Sequence, residues 1–371
     1  MDLFTIPSAL TAGRPRARFV RYFVLAGVLC ASAAPVWPRQ SGQEQAPATP
    51  PSTGDELERA RTLIDGTADD RMAAADLLAA VMSNAERSGD VGRHAEAALL
   101  LGDLVLVKLG RGADEALVHF RLAAGLFMQL DRLASAARAT TLSGIALRRL
   151  GRIAEAEAAH REALALYDRE HDALGRAAVL HNLGAVRFSQ NAYDDALAQY
   201  RESIAIRRAH GEVALTVSSL NNSATIYSHL GRPDSALNAS REAFEAARMH
   251  GDASGEAYAL LGMGTYSYAL GELQAAIGYL RVAAGRFEHI GNTSGSGYAM
   301  HTLGVVYLDL GHFADAVSAL ERAVPLRHDD PARLGTTLQS LGNAHRMQGD
   351  FERARASIER ALTLKRQASD R

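Results

Sequence analysis

The 371-residue chain has one cysteine, Cys30, one tryptophan, and no surplus of either charge, with 40 basic side chains against 42 acidic. A single cysteine excludes a disulfide scaffold and any cysteine-ligated zinc or iron–sulfur centre. Balanced charge leaves no basic excess able to hold a phosphate backbone, so nucleic acid is not an expected partner. The 13 histidines are scattered, and H-E-x-x-H, G-x-x-x-x-G-K-[ST] and G-x-S-x-G are all missing. No metal or cofactor is implied, and catalysis is not expected. Disorder is excluded too, because 47% of the residues are hydrophobic.

One apolar run stands apart. Arg14, Arg16, Arg18 and Arg21 precede Tyr22 to Ala34, and Ala31-Ser32-Ala33 offers a small-x-small cleavage site. Residues 1–33 therefore read as a signal peptide and the protein as exported, periplasmic or extracellular. The alternative is a retained membrane anchor, although the run from Tyr22 to Trp37 is shorter than the roughly 20 residues needed to span a bilayer. Leu29 stands where lipoprotein acylation at Cys30 would need a small residue. Residues 34–54, rich in Pro, Gln and Ser without apolar periodicity, read as a flexible tether.

What fills the rest is repetition. Gly144, Gly184, Ala224, Gly264 and Gly304 lie 40 residues apart, with Gly102 before them and Gly342 after. Seven residues downstream of each but Gly102 lie Gly151, Asn191, Gly231, Gly271, Gly311 and Gly349, and five further on Ala156, Ala196, Ala236, Ala276, Ala316 and Ala354. Glycine in mid-helix costs up to about 1 kcal/mol against alanine unless a neighbour needs the missing side chain's space. The first series therefore marks close helix contact. The second suits a left-handed helix terminus, which Gly and Asn tolerate best. The third opens a second helix on its packing face, where bulk would overpack the pair. Gly262-Met263-Gly264 and the glycines from Gly291 to Gly297 keep this phase or sit at a turn between repeats, so they are structural. Such pairs cannot bury their apolar faces alone and must stack on their neighbours.

Met300, Leu303-Gly304, Tyr307, Gly311, Ala316, Leu320 and Ala323 in one copy, and Leu220, Ala224, Tyr227, Gly231, Ala236 and Ala243 in another, give the chain a resemblance to the tetratricopeptide repeat family. The resemblance runs from about Ala95 to Lys365. The family's terminal proline is absent, and the period is 40 rather than 34, which implies a longer second helix. This variant is similar to the repeats of kinesin light chain and to bacterial repeats preceding caspase-like CHAT peptidase or regulator domains. A CHAT peptidase would need a downstream cysteine, and none follows.

The expected fold is all-α, a right-handed superhelical solenoid of antiparallel helix pairs, with N-terminal capping helices over residues 55–90 and seven repeats over 91–371. The resemblance implies that each pair's first helix lines a concave surface where protein or peptide ligands lie. Phase from the Leu-Gly marker places His181, Asn182, Asn221, Asn222, Thr225, Tyr258, Tyr298, His301, Thr302, Gln339, Ser340 and Asn343 there. These are polar and uncharged, and amides such as Asn182, Asn221 and Asn222 suit a peptide backbone of any sequence. Ordinary solvated surface is the competing reading. The Lys and Asn pattern of the carboxylate clamp found in chaperone-binding members is missing, so a C-terminal carboxylate ligand is not expected. Phe188, Tyr258 and Tyr268 are candidate side-chain pockets. The in-register pairs Arg161-Glu162, Arg201-Glu202 and Arg241-Glu242 read as a solvated convex face.

The leading expectation is an exported, non-enzymatic scaffold binding protein or peptide along that surface. The alternative is the sensor or recruitment portion of a multidomain regulator or CHAT-type peptidase. Arg355, in the phase of Leu197, Leu237, Ile277 and Val317, makes the last face partly polar, as the end of a complete solenoid would be. A truncated boundary at Arg371 is the other reading. A membrane partner is expected only through a retained N-terminal segment. Nothing in the sequence marks an oligomeric state.

Overall fold

A computed structural model describes residues 55–108, 112–328 and 330–369. The expected leader and tether lie outside them. Among the described residues the regular structure is entirely helical, and no helix is long and apolar enough to cross a membrane. The chain divides between Ile226 and Tyr227 into two units.

The first unit holds α1 (Asp55–Ile64), α2 (Ala68–Ser88), α3 (Val91–Asp103), α4 (Ala113–Gln129), α5 (Leu133–Arg149), α6 (Ile153–Arg169), α7 (Ala173–Ser189) and α8 (Tyr193–Ala209). A 3-10 turn over Val213–Thr216 then leads into α9 (Val217–His229), in which the division falls. The second unit continues with α10 (Pro233–His250), α11 (Ala253–Ala269), α12 (Leu273–His289), α13 (Thr293–Asp309) and α14 (Phe313–Ala323). A 3-10 turn over Pro325–Arg327, α15 (Pro331–Gln348) and α16 (Phe351–Ser369) complete it. In the first unit α1 to α8 pack in succession, and in the second α10 to α16 do; α5 also touches α7, α11 touches α13, and α13 touches α15. The first helices of neighbouring pairs thus line up in a row, as stacking requires.

Helices α5 to α8 and α11 to α13 are each 17 residues long. With a short turn at each end, two equal helices fill the period. The longer second helix that the period implied is not what forms; both helices share the extra length. The turns use the left-handed region at Gly151 (φ 72°), Gly271 (81°) and Gly311 (75°), and Asn191 takes the same conformation (59°).

The mid-helix glycines are explained by contact. A Cβ on Gly144 would stand 2.5 Å from His160 Cε1, on Gly184 2.8 Å from Tyr200 Cε1, on Gly264 2.6 Å from Leu280 Cγ, and on Gly304 2.5 Å from Leu320 Cγ. Each partner lies at one constant offset downstream, on the second helix of the same pair. The alanine series is buried beside these contacts, with Ala156, Ala196, Ala276 and Ala316 fully enclosed.

A further register position joins one pair to the next. Tyr167 and Phe287 lie against Gly175 and Gly295, where a Cβ would come within 2.3 and 2.5 Å of their rings. There α7 and α13 start with side-chain caps, Asp172 accepting from Gly175 N and Asn292 from Gly295 N, both at 2.8 Å. In that cap register α9 has Glu212, whose longer side chain makes no cap bond, and the chain enters α9 through its 3-10 turn.

Candidate functional site

The expected groove residues fall into two sets. In the first unit, Asn222 Nδ2 donates to the Tyr200 hydroxyl at 3.2 Å, and burial keeps that phenol protonated by pushing its pKa up. Asn222 is half-buried and uses one of its two N–H groups, leaving the other and Oδ1 available. Asn221 is half-buried beside it. Asn182 is buried and spends its amide on Ala178 O of its own helix at 3.0 Å. Thr225 is buried as well, its hydroxyl donating to Asn221 O at 3.2 Å.

His181 does not point outward as a groove donor would. Its Nδ1 stands 2.8 Å from Ser219 Oγ on α9, and its ring lies 5.3 Å from that of Tyr200. Arg207 Nη1 also donates to Ser219 Oγ at 3.4 Å, so one hydroxyl joins the histidine and the arginine. Burial, with Arg207 and Arg148 nearby, lowers the His181 pKa to about 3, so the ring is neutral.

In the second unit, the Tyr258 hydroxyl accepts from Asn292 Nδ2 at 3.0 Å, and its half-buried ring meets Phe287 edge-on at 4.9 Å. Tyr298, also half-buried, lies under the Arg327 guanidinium, 5.4 Å from ring centre to Cζ. Gln339 and Asn343 are exposed: Gln339 Oε1 accepts from Lys365 Nζ at 2.7 Å, and Asn343 Oδ1 from Arg346 Nη2 at 2.8 Å. Ser340 is half-buried. His301, 2% exposed, and Thr302, 8% exposed with its hydroxyl on Tyr298 O at 3.0 Å, are enclosed. Burial and Arg327 hold the His301 pKa well below the ordinary range.

The helix phase therefore needs correcting at Asn182, Thr225, His301 and Thr302. Asn182, His301 and Thr302 sit on first helices packed by their own second helices and by first helices beside them, so a side chain one step from the open face is covered. The open set is Asn221 and Asn222 in the first unit, and Tyr258, Tyr298, Gln339, Ser340 and Asn343 in the second. Of the candidate aromatic pockets, Phe188 packs on Tyr193 at 5.7 Å, and Tyr268 bonds Asp309 through its hydroxyl. Two buried arginines, Arg207 and Arg327, fall outside the expected set, because they lie on or just after second helices whereas the resemblance places ligands on first helices. Their separation of three periods was the available signal. Among the described residues no cluster of His, Cys, Asp and Glu is arranged to hold a metal.

Profiles of the tetratricopeptide repeat match residues 135–209, 216–250 and 298–367. No curated protein matches the sequence. Among solved structures, the apo form of RapI is similar over 75% of this chain and 99% of its own, at 13% identity and TM-score 0.58. A Rap protein complexed with Competence and Sporulation Factor is similar over 85% and 98%, at 15% identity and TM-score 0.54. A signal transduction ATPase with numerous domains, with a tetratricopeptide repeat sensor, from Pyrococcus horikoshii is similar over 84% of this chain at 15% identity and TM-score 0.60. The match covers 53% of that protein's own length. At these identities what is shared is the fold. The profile matches, together with helix pairs that recur at a fixed period over tightly packed glycines, place the chain in the tetratricopeptide repeat family.

Proposed function

We propose that this protein is a non-enzymatic scaffold, exported from the cytoplasm, that binds a protein or an extended peptide along the first helices of its pairs. The observation that carries the reading is Asn222: on the open face, its amide retains both a donor and an acceptor after bonding Tyr200, which is what a peptide backbone requires. Half-buried Tyr258 and Tyr298 offer aromatic surface for side chains in the second unit. The Rap protein complexed with Competence and Sporulation Factor supports the reading as a protein of the same fold with a bound factor.

The test is capture by the chain lacking residues 1–33 from its own envelope fraction, compared with Asn222→Arg and Tyr258→Arg variants of unchanged helicity. A partner kept by the parent and lost by either variant supports the reading; equal capture by all three removes it. The second reading is a sensor or recruitment portion of a larger regulator, supported by the tetratricopeptide repeat sensor of the Pyrococcus horikoshii protein. Coding sequence continuing past Arg371 into an effector domain would favour it.

A further inference from the structure

Arg207 and Arg327 are each only 7% exposed. Each follows, at the same offset, a histidine on the first helix of its pair, His181 or His301. Arg207 Nη1 donates to Leu215 O and to Ser219 Oγ, and Arg327 Nη1 donates to Arg333 O at 3.5 Å and Thr337 Oγ1 at 2.9 Å. Elsewhere this register carries Phe127, Tyr167, Ala247 and Phe287. A guanidinium thus stands twice at a position where an aromatic ring is the commonest occupant, and where it is stripped of water. A buried cation is costly unless something compensates it.

The two sites differ in that compensation. Over Arg327 lies the face of Tyr298, a cation–π partner, and the charge of Asp330 also favours the cation. The residue in the Tyr298 register of α7 is Ala178, whose methyl group offers no such cover. Among the described residues no carboxylate offsets burial at Arg207, whose pKa is lowered to about 10. The ionisable groups that bear on its neighbour His181 are themselves basic: Arg207, Arg148 and His160. Both hydrogen bonds of Arg207 leave from Nη1, so Nε–H and Nη2 remain for the planar, two-pronged contact that guanidinium makes with carboxylate.

We propose that Arg207, between His181 and Ser219 at the junction of α7 and α9, is a carboxylate-binding site. It takes an Asp or Glu side chain of the partner or a small free carboxylate, and at Arg327 the ring of Tyr298 occupies the equivalent place. The side-chain source rests on the scaffold reading above; the site itself does not. The missing carboxylate clamp concerned first-helix lysines and a C-terminal group, whereas this cation comes from a second helix.

Isothermal titration of the full chain with acetyl-Ala-Glu-Ala-amide, acetyl-Ala-Gln-Ala-amide and sodium acetate at constant ionic strength tests it. The glutamyl peptide is expected to bind about tenfold more tightly than the glutaminyl one, a preference lost in Arg207→Met and kept in Arg327→Met. Ala178→Tyr, which retains the arginine but supplies the ring found at Tyr298, is expected to lose the preference as well, and it keeps the test decisive if Arg207→Met fails to fold. Binding of acetate without glutamyl preference assigns the site to small carboxylates and counts against the scaffold reading alone. Overturning results are binding of neither carboxylate by the parent, or an unchanged preference in Ala178→Tyr or in folded Arg207→Met.

Discussion

Gly144 and His160 form one contact: the imidazole lies where the glycine's side chain would be, 2.5 Å from the position of an added Cβ. His160 is fully buried, so the ring cannot swing into solvent to make room. Gly144→Ala is expected to destabilise the chain by about 1–3 kcal/mol through overpacking. Gly125, also helical, has no atom within 4 Å of its would-be Cβ, and Gly125→Ala is expected to stabilise by up to about 1 kcal/mol. Urea unfolding of the two variants, compared with the parent, checks the opposite signs.

The same histidine makes stability depend on pH. Among the described residues neither ring nitrogen of His160 has a hydrogen-bond partner, and burial, with Arg148 nearby, lowers its pKa from 6.5 to about 3. The folded pKa lies below the unfolded one, so the unfolded chain takes up more protons between about pH 6.5 and 3, and stability falls as pH falls through that window. The slope from this group reaches at most about 1.4 kcal/mol per pH unit. His160→Phe, matching Phe120 in the first repeat, is expected to remove about 2 kcal/mol of the stability lost between pH 7 and 5. Urea titrations at both pH values measure the difference, and an equal loss in parent and variant contradicts the assignment.

At the turns between pairs, His171 holds φ 55°, while Gly211, Gly251 and Gly291 hold the same place one, two and three periods on at 76°, 69° and 70°. A side chain in the left-handed region costs roughly 1 kcal/mol or more. His171→Gly is expected to raise stability by about 1 kcal/mol, less what glycine gives back by loosening the unfolded chain. The measured sign decides it: a loss of stability means that the His171 side chain contributes more than its backbone costs.

These residues show what was legible in sequence and what was not. The glycine, turn and alanine series are backbone demands that recur with the repeat, so spacing alone revealed the helix pairs and their contacts. The share of the period taken by each helix was not legible, because one period can be divided in more than one way, and the symmetric turns that settle it carry His171 and Asp131 as well as glycine. Helix phase does not show the depth to which a neighbouring helix covers a side chain, which is why His301 and Asn182 are enclosed while Asn222 is not. Arg207 was hidden by its residue type, since an arginine on a second helix reads as solvated until the structure places it over Ser219.

The bond from Asn222 to Tyr200 yields a prediction that separates structure from binding. Tyr200→Phe keeps the ring against Gly184 and removes only the hydroxyl that accepts the 3.2 Å bond. A stability loss of about 0.5–1.5 kcal/mol is expected, with the Asn222 amide released toward the open face. Thermal melts, together with partner capture by the same variant, check it. Capture at least as strong as the parent's is expected if Asn222 serves the partner.

The central claim is that the first helices of the two units carry the binding surface. A photo-crosslinking amino acid placed at Asn222, at Tyr258, or at exposed Arg161 on the second-helix side addresses it directly. The account predicts that a captured partner is crosslinked from Asn222 and Tyr258 and not from Arg161. Crosslinks from Arg161 alone would contradict it.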